Sequence, residues 1–211
     1  DQSIECHSKL FDCDLEFHSK EIKANLNIEK GTINHLAFTS LSREPLIGTI
    51  KHAFYEDINF AADFYTGHTV IERPAKRKIT SLHPTSYKNK SNNEIFTYNH
   101  DKDNSIVTSY SFNNNELIIN KDITCNLGYP YIMKLYNFTF LPDHWDEKTL
   151  YYKVCNGGSY ETFNFNFESI NQQKITSHLI SSHNILGNTN GKLEIGDKKK
   201  SIIFETDCSK S

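Results

Sequence analysis

The stretch from Phe54 to Glu72, FYEDINFAADFYTGHTVIE, gathers carboxylates, an imidazole and aromatic rings without a clean helical or strand period. Asp63 and Glu72 offer carboxylates, His68 an imidazole, and Tyr65 with its neighbours Phe60 and Phe64 offers ring faces. Saccharides suit this mixture, because their C–H faces stack on rings while their hydroxyls exchange hydrogen bonds with carboxylates and imidazoles. An irregular segment between strands is also a common place for binding residues. Asp63, Tyr65, His68 and Glu72 are therefore candidate substrate contacts. A structural reading competes: Phe60, Phe64 and Tyr65 plug one end of a β-sandwich, and Asp57 and Asp63 cap short helical turns.

A second candidate is Trp145, the one tryptophan of the chain, set between His144 and Asp146 in LPDHWDEKTLYY just after a proline-marked strand end. An exposed indole beside polar groups makes a stacking platform for sugar. The alternative is that Trp145 caps the core beneath a tight turn.

No residues are assigned to catalysis. Glycoside hydrolysis needs two carboxyl groups about 5 to 9.5 Å apart, and with 26 acidic residues in the chain composition alone selects no pair. The sequence has no Gly-x-Ser-x-Gly elbow, phosphate-binding loop or dinucleotide fingerprint. Zinc-type His and Cys spacings are absent as well. NHDKDNS (residues 99–105) has part of a calcium-loop order but lacks the glycine and distal glutamate, so it reads as a solvated turn. No cofactor is expected.

The elements that must carry these groups are strands. EIKANLNIEK alternates, placing Ile22, Ala24, Leu26 and Ile28 on one face and charged or amide residues on the other. ETFNFNFES repeats the pattern with Phe163, Phe165 and Phe167, and NELIINKDI and KSIIFETD read as half-buried strands. Turn signals punctuate them at Lys30-Gly31, Asn113 to Asn115, Asn156-Gly157-Gly158, Asn190-Gly191 and Gly196-Asp197. Helical turns are expected only within Pro45 to Phe64 and Ser177 to Leu186. About a dozen strands predict one all-β domain over residues 1–211, a large antiparallel β-sandwich with a few short helical turns.

The net charge of -3 carries no basic field for nucleic acid, and no apolar run approaches the length of a membrane-spanning helix. Five scattered cysteines without a CxxC pair argue for free thiols and a cytoplasmic setting, a secreted or cell-surface one being the alternative. Asp1 in place of an initiator methionine points to a processed chain or to part of a longer protein.

Five pieces of the sequence carry a resemblance. KGTINHLAF is similar to the turn-and-strand near the start of β-sandwich domains in carbohydrate-active enzymes. Leu141-Pro142, Asn156-Gly157-Gly158, Leu186-Gly187-x-Thr189-x-Gly191 and Ile195-Gly196-Asp197 follow in an order that resembles the C-terminal region of proteins related to glycoside hydrolase family 57. The resemblance implies a galactose-mutarotase-like supersandwich. It also implies that the catalytic groups reside in a barrel domain of the same parent protein, since the motifs bearing them are missing from this chain.

The expected function is then a non-catalytic accessory or carbohydrate-binding domain of a glycoside hydrolase or glucanotransferase-like protein. Its partners would be an oligosaccharide or α-glucan and the catalytic barrel. Two alternatives stand beside it: a stand-alone mutarotase-like enzyme using His68 with Asp63 or Glu72, and an extracellular surface or adhesion domain.

Overall fold

The computed structural model describes residues 2–3, 14–49, 66–67, 69–73, 78–90, 93–99, 104–113, 115–155, 157–165 and 188–207. The strands, in chain order, are β1 (Gln2–Ser3), β2 (Asp14–His18), β3 (Ile22–Asn27), β4 (Thr32–Phe38), β5 (Ile47–Gly48), β6 (Val70–Arg73), β7 (Lys78–Ser81), β8 (Ser86–Lys90) and β9 (Asn93–Asn99). They continue with β10 (Ser105–Asn113), β11 (Glu116–Thr124), β12 (Ile132–Lys134), β13 (Thr139–Phe140), β14 (Tyr151–Cys155), β15 (Tyr160–Asn164), β16 (Lys192–Gly196) and β17 (Ser201–Glu205). Among the described residues the helical turns are two short 3-10 segments, Pro142–His144 and Glu147–Thr149. Of the two places where the sequence suggested such turns, 177–186 and most of 45–64 lie outside the described residues, and Ile47–Gly48 is a strand. The expected all-β, antiparallel architecture is the one the chain adopts.

Contacts gather the chain into two compact units, Asp1–Leu141 and Pro142–Ser211. The first holds three antiparallel sheets with strand orders β1-β8-β9-β10-β11, β13-β5-β4-β3-β2 and β12-β6-β7. Alternation explains the strands directly. On β3, Ile22, Ala24 and Leu26 are buried while Lys23, Asn25 and Asn27 turn the other way. β10 buries Ile106, Thr108, Tyr110 and Phe112 on one face. The two five-stranded sheets meet where Phe17 of β2 stacks on Phe112 of β10, ring centroids 3.9 Å apart.

A tighter junction lies at the turn between β3 and β4. The hydroxyls of Tyr98 on β9 and Tyr110 on β10 both donate to the carbonyl of Gly31, at 3.1 and 3.2 Å. A carbonyl has two lone pairs, so one acceptor satisfies both buried phenols. Gly31 has a φ of 63°, and a Cβ there would collide with the Tyr98 hydroxyl and sit 2.7 Å from Pro84. Only glycine meets both demands.

Lys121 is the anomaly of this unit. It lies on the face of β11 that also carries Leu117 and Ile119, directly across from the fully buried Thr108. Its ammonium donates to the Thr69 hydroxyl and sits over the Tyr136 ring at 4.4 Å and the Tyr98 ring at 5.9 Å. Among the described residues no carboxylate pairs with it, and burial pulls its pKa from 10.5 down to about 7.

Among the described residues the second unit holds a four-stranded antiparallel sheet, β15-β14-β16-β17. Tyr152 stacks on Phe163 at 5.1 Å and contacts Phe165 at 5.3 Å, as the Phe-x-Phe alternation requires. Asp197 opens the loop from β16 to β17 and accepts backbone N–H groups of Lys199, Lys200 and Asp146 at 2.7 to 3.0 Å. Burial alone would raise this carboxyl, but those donors together with Lys200 hold it below the usual carboxylate range. The turn signalled at Gly196-Asp197 is a hairpin, with Gly196 paired to Ser201, and Gly196 takes no positive φ there. Gly191 leads into β16 with a φ of 72°.

Gly31→Ala is expected to cost at least about 2 kcal/mol, adding left-handed strain to the loss of a buried phenol's acceptor. A shift in denaturation midpoint worth less than about 1 kcal/mol would show that the junction relaxes at little cost. The pH profile has a definite sign. Between roughly pH 7 and pH 10 the unfolded chain keeps the Lys121 proton that the folded chain has released, so stability rises with pH. Above about pH 10 unfolded tyrosines ionise, whereas burial keeps Tyr98, Tyr110 and Tyr136 protonated, so stability falls. Lys121→Met should flatten the rise and leave the fall intact, as read by urea midpoints across that range.

Candidate functional site

The site best defined by the structure is on the outward face of β2, β3 and β4, opposite the core. Alternation puts Asp14, Glu16 and His18 of β2 and Lys23, Asn25 and Asn27 of β3 on that face. On β4 the alternation breaks. Asn25 pairs with His35 and Leu26 with Ile33, so Asn34 is an extra residue bulged out of the ladder. A bulge turns two consecutive side chains toward one face. Here it lets Ile33 and Leu36 stay in the core while Asn34 and His35 join Asn25 outside it.

The bulge is held from behind. Thr49 N–H donates to the Asn34 carbonyl at 3.0 Å, and the Thr49 hydroxyl to the Ile33 carbonyl at 2.7 Å. Gly48 lets the Asn34 carbonyl approach, because a Cβ there would sit 2.5 Å from it. The Asn34 side chain is 8% exposed, and its amide donates to Asp14 Oδ1 at 3.0 Å and to Asn25 Oδ1 at 2.9 Å. Asn27 donates to the same Asp14 oxygen at 3.0 Å. Two amides thus fix one carboxylate oxygen, while Asp14 Oδ2 and the Asn25 amide nitrogen take no partner among the described residues.

Around this floor opens a groove of about 630 Å³. Glu16, His18 and Lys23 line one side, His35 and Arg43 the other, with Pro45 and Ala37 as small apolar ground. Glu16 and His18 approach each other at 3.4 Å at an exposed position. The groove therefore mixes carboxylate, imidazole, amide, ammonium and guanidinium groups with no excess of one sign. Such a surface matches a ligand dense in hydroxyls better than a phosphate or a long apolar chain. The described residues contain no cluster of three His, Cys, Asp or Glu able to hold a metal ion. Cys125 and Cys155 are free thiols.

The residues singled out by sequence sit elsewhere. Asp63, Tyr65 and His68 lie outside the described residues. Glu72 is on β6, paired with Ile132 and Ile79. Trp145 belongs to the second unit and is 7% exposed, with the Lys200 ammonium 5.4 Å from its ring centre. Its surroundings match the core-capping alternative rather than an open stacking platform. The parts of the Phe54–Glu72 stretch that are described are anchors. Thr66 is fully buried, donating to the Gly48 carbonyl and accepting from Thr139 N–H, and Gly67 N–H donates to the Asn137 carbonyl at 2.9 Å.

The groove left one trace in the sequence. In TINHLAF the core residues Ile33 and Leu36 are three apart rather than two or four, the spacing a bulge produces.

No protein-family model, curated protein or solved structure matches this chain. No helix among the described residues is long and apolar enough to cross a membrane.

Asn34→Ala should destabilise the first unit by about 1 to 2 kcal/mol, since it removes a buried amide and its hydrogen bonds to Asp14 and Asn25. Asn34→Asp should cost more near neutral pH than at pH 4, because it sets a second carboxylate against Asp14. Equal midpoints for Asn34→Ala and the parent chain would mean that the amide network does not brace the bulge.

Proposed function

We propose that this chain is a non-catalytic saccharide-binding β-sandwich domain. Following the family resemblance, its ligand is an oligosaccharide of the α-glucan class, and its place is as an accessory to a catalytic barrel in the same parent protein. The observation that carries the reading is the groove on β2, β3 and β4, where a bulge fixes Asn34 against Asp14 and Asn25 and leaves acceptors and donors open beside it. Fixed groups of both kinds bind vicinal hydroxyls without the entropy loss of ordering side chains at the moment of binding. Shallow, wet sites of this kind give modest affinity, which suits a module acting beside a catalytic domain.

A second reading is favoured by one row across the sheet. Glu16, Asn25 and His35 are cross-strand neighbours, so a carboxylate and an imidazole lie two strands apart, roughly 10 Å at the usual strand spacing. A general acid and base could face a sugar ring from opposite sides in that arrangement, as in a mutarotase-like enzyme.

Both readings are tested by titrating the ¹⁵N-labelled chain with maltose, maltotriose and maltohexaose. Resonances of Asn25, Asn34 and His35 should shift, with dissociation constants in the high micromolar to millimolar range. Asn25→Ala should weaken binding about 10-fold, the worth of one to two exposed hydrogen bonds, and lower the unfolding midpoint by no more than Asn34→Ala does. Perturbations absent from the groove at millimolar sugar would sink the saccharide assignment. A faster approach to anomeric equilibrium of α-glucose, lost in His35→Ala, would replace the non-catalytic reading with the enzymatic one.

A further inference from the structure

Lys121 is buried in a way that stability does not explain. Nothing of opposite charge meets it among the described residues, although an ammonium taken out of water without a counter-charge is costly. The groups that face it are neutral: the Thr69 hydroxyl from the segment before β6, Thr108 across the ladder on β10, and the rings of Tyr98 and Tyr136. Tyr110 stands next to Tyr98 and Tyr136 in the same cluster, and burial holds all three phenols protonated well above their ordinary range. No neighbouring titration therefore restores a charge partner near neutral pH.

The site borders the sheet edge. β11 is the last strand of its sheet among the described residues, and Lys121 as a whole residue is half-buried. The Tyr136 hydroxyl is buried without a hydrogen-bond partner among the described residues, and it belongs to the ring over which the amine lies. An amine held by one hydroxyl, flanked by a spare phenol and left without a carboxylate is arranged as a nucleophile rather than as an ion-pair partner.

We propose that Lys121 is a reactive amine that takes up small aldehydes reversibly as an imine. The nitrogen lone pair attacks the carbonyl carbon, a C–N bond forms, and the carbonyl oxygen collects a proton to give a carbinolamine. Loss of that hydroxyl as water, with the remaining N–H proton, leaves the C=N bond. The step consumes no oxidant or reductant. Thr69 orients the nitrogen, and the unpartnered Tyr136 hydroxyl is the donor available to the carbinolamine oxygen. An exposed lysine is unprotonated in about one molecule in 2,500 at pH 7, whereas an amine titrating near pH 7 is unprotonated in about half.

The test is reductive trapping on the folded chain. Propanal with sodium cyanoborohydride at pH 7, followed by peptide mass mapping, should alkylate Lys121 at least about tenfold faster than the median lysine, an advantage that fades by about pH 10 as ordinary amines deprotonate. The advantage should disappear in the urea-unfolded chain, and Lys121→Met should remove that labelled peptide. Labelling of Lys121 at or below the median rate in the folded chain at pH 7 would overturn the proposal. So would a preference that survives unfolding, since it would then owe nothing to the tyrosine cluster.

Discussion

The carbonyl of Gly31 is the point on which the first unit turns. Two phenols from adjacent strands of one sheet end on a single backbone oxygen in the hairpin of another. Burying a tyrosine hydroxyl without a partner is costly, and burying two side by side doubles the demand. The solution requires a carbonyl free of the sheet ladder, pointing into the gap, with no side chain in the way. A left-handed glycine at the end of a hairpin turn supplies all three conditions. Because Gly31 immediately precedes β4, fixing it also fixes where β4 begins, and so which of its residues face the core.

That starting point has consequences on the opposite face. With Thr32 and Ile33 set by the turn and Leu36 required in the core, the strand has one residue too many for a regular ladder. Asn34 absorbs the excess. Its displacement brings an amide against Asp14 and Asn25, so the polar floor of the groove follows from an apolar requirement on the other side of the sheet. Thr49 and Gly48 complete the arrangement by occupying the carbonyl that the bulge exposes. Core and groove are thus two outcomes of one register.

Local pattern carried much of this fold, and long-range pairing carried the rest. Ile22, Ala24 and Leu26 alternate cleanly, and their burial matches that pattern because a strand's period is a property of the segment alone. The turn at Lys30-Gly31 was legible for the same reason: it needs a backbone conformation that few residues tolerate. At Gly196 the demand is close packing instead, since a Cβ there would sit 2.7 Å from the Lys200 carbonyl. The tyrosine clasp was not legible. Tyr98 and Tyr110 are ordinary strand residues, and their shared acceptor lies 67 and 79 positions away in sequence. Lys121 was not legible either, since alternation in NELIINKDI places it inward while its charge argues outward. The candidate site was missed because attention to density of functional groups favoured Phe54–Glu72, whereas the groove is assembled from three strands, each contributing two or three unremarkable polar residues. The odd spacing of Ile33 and Leu36 was the available clue.

The two polar features of this unit differ in a way that separates their chemistry. In the groove each carboxylate and amide is either paired with a neighbour or open to solvent, and the surface is suited to exchanging hydrogen bonds. At Lys121 the surroundings are rings and hydroxyls, the counter-charge is missing, and the free energy of desolvation is expressed as a weakened hold on a proton. A site of the first kind recognises, because its groups already have the polarity the ligand requires. A site of the second kind reacts, because its nitrogen has been left with a lone pair at a pH where exposed amines have none. The same sheet-and-turn framework supports both, since register decides which polar side chains face water and which face rings.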